Sequence, residues 1–149
     1  CFMHGDLQFD NILFDAEKQK FMLLDWRQDF GGHVEFGDLY YDLAKLYGGI
    51  ILNYVFIKLN LLSYTENEKG IAFDFAQRYQ TQNYLQQLRE YISVNDYDLT
   101  KVRILVALIY MNMSPLHHFP FDKMLYSLGR DLLYTELLRL KPTKAGQHG

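Results

Sequence analysis

The sequence predicts an α+β fold that is mainly α, with a short β-hairpin near its start backed by a bundle of about four helices. Three features carry that expectation. Asn11-Ile-Leu-Phe14 and Lys20 to Leu24 flank the polar run Asp15-Ala-Glu-Lys-Gln19, which is the pattern of strand, reversal and returning strand. From Phe36 onward, apolar residues instead recur at steps of three and four. Polar and proline-bearing stretches divide that second part into helix-sized pieces.

Each element has its own reason. A hairpin reversing about Glu17 and Lys18 sets Asn11 opposite Leu24 or Asp25, with Asp6 just before it, so polar groups collect at its open end. Leu39, Leu43, Leu46, Ile50, Tyr54, Ile57 and Leu61 form one continuous helix face. Gly48-Gly49 within it marks a kink or a close packing contact. The polar run 63–70 breaks the pattern, and a second helical stretch is expected from about Ile71 to Ile92, interrupted by polar residues 77–83. Residues 93–98 read as a turn, with Asp98 or Thr100 capping a third stripe of Val102, Leu105, Val106 and Ile109. Residues 114–120 read as a loop, and Pro120 suits the first turn of a last helix from about Phe121 to Leu140. That helix turns Leu125, Leu128, Leu132 and Leu133 inward. Residues 1–140 therefore form one lobe and 141–149 a polar tail.

Composition excludes several classes. An apolar fraction of 49% with 16% aromatic residues argues against disorder. A formal charge of -3 gives no basic footprint, so nucleic acid is not an expected partner. The single cysteine, Cys1, excludes an internal disulfide framework and fits a reducing, cytoplasmic setting. No apolar run reads as long enough to span a bilayer, and the greasiest stretch, 48–62, is interrupted by Asn53, Lys58 and Asn60. No membrane partner is expected.

The opening stretch carries the chemistry. Asp6, Asn11 and Asp25 supply two carboxylates and a carboxamide within a turn-rich segment and one hairpin. Mg²⁺ prefers oxygen ligands and commonly takes one or two carboxylates plus substrate phosphates, a share that Asn11 and Asp25 can provide. A separate carboxylate, Asp6, can orient a hydroxyl and accept its proton, as phosphoryl transfer from ATP requires. The order His4-Gly5-Asp6, four residues, Asn11, then Leu23-Leu24-Asp25-Trp26 parallels the kinase pattern of base, Asn and strand-borne Asp.

HGDLQFDNILFD, then LLDW, then FGDLYYDLAKL resembles the aminoglycoside phosphotransferase and choline kinase family, the small-molecule branch of the protein-kinase-like fold. YYDLAKLY and NMSPLHH are similar to family proteins found with bacterial surface-polysaccharide genes. The resemblance implies Asp6 as catalytic base, Asn11 and Asp25 as Mg²⁺ and nucleotide ligands, and His4 as an orienter of the loop. It implies that Asp38 and Asp42 support the loop, although an N-cap explains Asp38 and a first-turn acid explains Asp42 equally well. It implies ATP and Mg²⁺ as cofactors and a small-molecule hydroxyl acceptor such as a sugar, amino alcohol or aminoglycoside-like compound. The fold implied is the C-terminal lobe of a kinase. The N-terminal nucleotide lobe is then expected upstream in the same parent chain, and the isolated lobe is expected to be inactive. One departure stands out: many relatives carry an acid two residues after the metal-binding Asp, where this chain has Arg27.

Two other classes compete. One is a kinase-like binding module without catalysis, for which Arg27 leaves room. The other is a metal-dependent hydrolase using His117, His118, His4 and the aspartates, although no metal-ligand spacing joins them. Tyr40, Tyr41, Tyr47 and Tyr54 offer an aromatic cage for a quaternary ammonium, but at helical spacing they read better as core.

Overall fold

The computed structural model describes residues 2–29, 31–33 and 36–141, so residues 142–149 of the expected tail lie outside the described residues. It is an α+β fold with two separate two-stranded sheets and five α-helices among the described residues.

Strands β1 (Ile12–Asp15) and β2 (Lys20–Leu23) pair antiparallel, with Ile12 opposite Leu23 and Asp15 opposite Lys20. Asp15 closes the reversal by accepting the N–H groups of Glu17 and Lys18 at 3.1 and 3.0 Å. The Lys18 backbone bond, chief among these, holds the Asp15 carboxyl below its ordinary range. One step past the ladder, the Leu24 N–H donates to the Asn11 carbonyl at 2.9 Å, so Asn11 faces Leu24, the first of the two residues expected there.

The long stripe from Leu39 to Leu61 forms two helices rather than one. Helix α1 (Leu39–Ile51) ends at Leu52, which is extended and buried, and α2 (Tyr54–Lys58) starts afresh. The break falls at Asn53, whose side chain accepts the Val55 N–H at 2.9 Å and so caps the new helix. Gly48-Gly49 is helical, and Gly48 marks a close contact: the Tyr110 hydroxyl donates to the Gly48 carbonyl at 2.7 Å.

The expected helix from Ile71 is a strand at its start. Strands β3 (Leu62–Asn67) and β4 (Gly70–Phe75) form a second hairpin, with Leu62 opposite Phe75 and Asn67 opposite Gly70. Leu62, Tyr64, Phe73 and Phe75 alternate with exposed residues and pack on the helical core, and this period-two burial is what a strand requires. Helix α3 (Thr81–Val94) follows, and α4 (Leu99–Met113) begins after Asp98, which accepts the Lys101 N–H at 3.1 Å. A single 3₁₀ turn at Ser114–Leu116 leads to α5 (Phe121–Leu140), which follows Pro120 as expected.

Helix α4 is the middle of the core. Val102, Val106 and Tyr110 meet Leu43 and Tyr47 of α1 and Met124 and Leu125 of α5 in one buried cluster. Contrary to the sequence expectation, the window Leu99–Leu116 is long and apolar enough to cross a membrane by length and composition. Its packing between α1 and α5 buries one face of it.

The α4–α5 crossing depends on Gly129. A Cβ there would lie 2.8 Å from the Ala107 carbonyl oxygen and 3.1 Å from the Met111 nitrogen, both backbone atoms that cannot rotate away. Gly129→Ala should therefore destabilise by about 1–3 kcal/mol, overpacking outweighing the helix-propensity gain of about 1 kcal/mol. The check is the urea midpoint, and an increase would show that the helices separate at no cost.

Candidate active site

The segment before β1 is a loop folded onto α1. Gly5 adopts φ +79°, and a Cβ at that position would lie 2.5 Å from the Arg27 Cβ, so only glycine lets the two segments approach. Arg27 also donates its backbone N–H to the His4 carbonyl at 2.9 Å, and its guanidinium lies 5.6 Å from the centre of the Tyr41 ring. Arg27 thus packs against the loop.

Asp42 anchors the loop from α1. Its carboxylate is 3% exposed and accepts the N–H of His4 at 2.6 Å and of Gly5 at 2.9 Å. Asp42 is thus both an acid in the first turn of α1 and an acceptor for the loop backbone. Asp42→Ala leaves two buried amides unsatisfied at about 1–3 kcal/mol each. A urea titration should show a lower midpoint with an unchanged slope, and an unaltered midpoint would remove Asp42 from this role.

Asp38 has a different position. It is the N-cap of α1, accepting the Tyr40 N–H at 3.0 Å, and its other oxygen pairs with Lys101 at 2.9 Å. Burial works against ionisation, but Lys101 and the Tyr40 N–H outweigh it, so the carboxyl sits below its ordinary range. Tyr40 lies on α1 and Lys101 on α4, and the bond to Tyr40 is that of an N-cap.

Within the loop, side chains converge on Asp6. The Asp6 N–H donates to His4 Nδ1 at 3.2 Å, so the buried imidazole orients the backbone of the candidate base. Packing of the His4 ring on Trp26, centroids 5.0 Å apart, fixes that imidazole. Asn11 Nδ2 donates to the Asp6 carbonyl at 2.9 Å and to Asp6 Oδ2 at 3.1 Å. Gln8 Nε2 donates to the same carboxylate oxygen at 3.2 Å. The other oxygen, Oδ1, pairs with Lys45 Nζ at 2.7 Å, and the Lys45 side chain is only 9% exposed.

Lys45 is the residue that sequence reasoning missed. It lies three residues after Asp42 on α1, hence on the same face one turn along. A helix that presents Asp42 to the loop backbone presents Lys45 to the residue that follows, and this was the available signal.

Asp25 arrives from the other side. Its neighbours are tied to the loop and hairpin by the Leu24-to-Asn11 and Arg27-to-His4 backbone bonds. Asp25 itself takes φ +53°, an unusual conformation for a residue other than glycine, and is exposed, with no ion pair or hydrogen bond to its carboxylate among the described residues. Asn11 commits its amide nitrogen to Asp6, which leaves Oδ1 as its uncommitted oxygen. The Asn11 Oδ1 and the Asp25 carboxylate are both oxygen ligands of the kind a hard cation takes. The donor set fits Mg²⁺, which needs few protein ligands.

Among the described residues, no three His, Cys, Asp or Glu side chains gather to hold a metal ion. His117 packs on Phe121, centroids 4.7 Å apart, and burial pushes its pKa down. The four tyrosines take separate partners: Tyr40 with Lys101, Tyr41 with Arg27, Tyr47 with Arg89 and Tyr54 with Phe121. They form no cage with one another.

No curated protein and no solved structure matches the chain. The pattern of the phosphotransferase enzyme family does match, over residues 1–91, which include the loop, the first hairpin and α1. The chain belongs to that family.

Proposed function

We propose that the chain is the acceptor-side, C-terminal lobe of an ATP-dependent small-molecule kinase with a protein-kinase-like fold. In this reading it transfers the γ-phosphoryl group to a hydroxyl of a sugar, amino alcohol or aminoglycoside-like acceptor. The observation that carries it is the contact of Asp6 with Asn11, with Asp25 brought alongside by the hairpin register. Asp6 orients the acceptor hydroxyl and takes its proton as the oxygen attacks phosphorus. Lys45 and Gln8 hold the two carboxylate oxygens, so little reorganisation is left for the reaction itself. Mg²⁺ on Asp25 and Asn11 Oδ1 would neutralise charge on the triphosphate. The hairpin supports a covering nucleotide lobe: Phe14, Phe21 and Met22, on the strands that lead from the candidate metal ligands to the turn, each leave half or more of their surface exposed.

The test is Mg²⁺-dependent ATP consumption by the full-length protein against a panel of hydroxylated acceptors. Absence of turnover with every acceptor, together with absence of Mg·ATP binding, would favour the binding module. In the active protein, Lys45→Met should lower kcat by roughly 10–100-fold with little change in Mg·ATP affinity, because it loosens a positioned carboxylate. Lys45→Arg should recover part of the rate. A rate unaffected by Lys45→Met would leave the ion pair without a role in the reaction.

A further inference from the structure

Beside Asp6 the bundle opens into a cavity of about 570 Å³, between the loop, α1, α2 and the start of α3. That volume suits a small organic molecule. Gln8 lines the cavity and also donates to Asp6 Oδ2, so one side chain joins the cavity wall to the candidate base. Tyr54, on its wall, feels the same carboxylate. Its phenol is pushed up to about 12, by burial first and then by Asp6 and Asp10, and it stays a neutral hydrogen-bond donor.

The wall chemistry is selective. Phe9, Leu46, Ile50, Val55, Tyr84 and Leu88 make most of it apolar. The charged residues in the lining are Asp10 and Arg78, one of each sign. A polycation would have to shed water from several ammonium groups with a single carboxylate to receive them, which is costly. An uncharged apolar body loses little on entry and gains by burial. Gly49 keeps the floor open, since a Cβ there would lie 3.1 Å from the Phe9 ring.

We propose that the acceptor is a hydroxyl-bearing small molecule with an uncharged, largely apolar body, seated in this cavity with its hydroxyl at Asp6. This rests on the kinase reading and narrows it, setting aside polycationic aminoglycosides. Transfer is balanced as written: the acceptor oxygen bonds to the γ-phosphorus, the bond to the β-γ bridging oxygen breaks, ADP leaves, and the hydroxyl proton passes to Asp6.

The experiment uses the full-length protein and three probes: phenyl β-glucoside, glucose and the polycation kanamycin. Binding is read by calorimetry without nucleotide, and ATP consumption is read separately. The aryl glycoside should bind roughly tenfold or more tighter than glucose, the ring's buried apolar area being the difference, and kanamycin should bind no better than glucose. Gly49→Leu should abolish the preference by filling the cavity. Tyr84→Ala, at a site 41% exposed and so tolerant of change, should weaken it in case Gly49→Leu does not fold. Equal binding of glycoside and sugar, tighter binding of kanamycin, or a preference that survives both variants would overturn the proposal. Phosphorylation of kanamycin would overturn it while leaving the kinase reading intact. Loss of Mg·ATP binding and of turnover with all probes would instead bring down the kinase reading itself.

Discussion

Asp6→Asn in the full-length protein should lower kcat by roughly 10²–10⁴-fold while Mg·ATP still binds, the range expected for loss of a general base. The carboxamide has nearly the same shape and can still accept from Gln8 and Asn11, so the loop should keep its course. What it loses is the proton acceptor and the negative partner of Lys45. A mostly buried ammonium left without its carboxylate is destabilising on its own account, and that loss must be separated from the chemical one. The double variant Asp6→Asn, Lys45→Met removes both charges. It should recover stability relative to Asp6→Asn alone and remain inactive, because the two residues are in direct contact and their effects are coupled. Recovery of activity in the double variant would mean that Asp6 serves the fold and not the reaction.

The sequence made the first hairpin legible because its turn centre determines every pairing in it. A reversal about Glu17 and Lys18 sets Asn11 opposite Leu24 or Asp25, and the backbone bond is the one to Leu24. The last helix was equally plain, since a proline at its start and a long apolar stripe agree on one answer. The break between α1 and α2 was hidden by a stripe that keeps its spacing through Ile57 even though the axis changes at Asn53. The telling residue was Asn53 itself, which looked like an interruption and is a cap. The β3–β4 hairpin was missed because Ile71 and Phe75 are four apart, as on a helix. The alternation of Phe73 and Phe75, matched by Leu62 and Tyr64, was the competing signal. Asp38 could be read either as a cap or as a loop support, and the pairing with Lys101 that holds it depends on α4 lying alongside, a tertiary fact that local spacing does not contain. Lys45 was overlooked for the same reason. A lysine on an amphipathic helix reads as solvent-facing until a loop is known to fold over it.

Asp25→Ala carries the second large effect, and it bears on nucleotide binding more than on proton transfer. Asp25 is exposed and its carboxylate takes no ion pair or hydrogen bond among the described residues, so the cost of its removal to the fold is that of placing alanine at φ +53°, about 1–2 kcal/mol. The larger cost falls on the cation. With the carboxylate gone, Asn11 Oδ1 is the remaining protein oxygen of the proposed pair, and Mg·ATP should bind roughly 10²-fold or more weakly while ATP without metal is little affected. The most direct measurement is therefore a calorimetric titration of the full-length protein and its Asp25→Ala variant with ATP, in Mg²⁺ and in EDTA. The account predicts a strong Mg²⁺ dependence in the parent and its disappearance in the variant. Equal Mg²⁺-dependent affinity in the two proteins would contradict a magnesium-nucleotide site at Asp25 and Asn11.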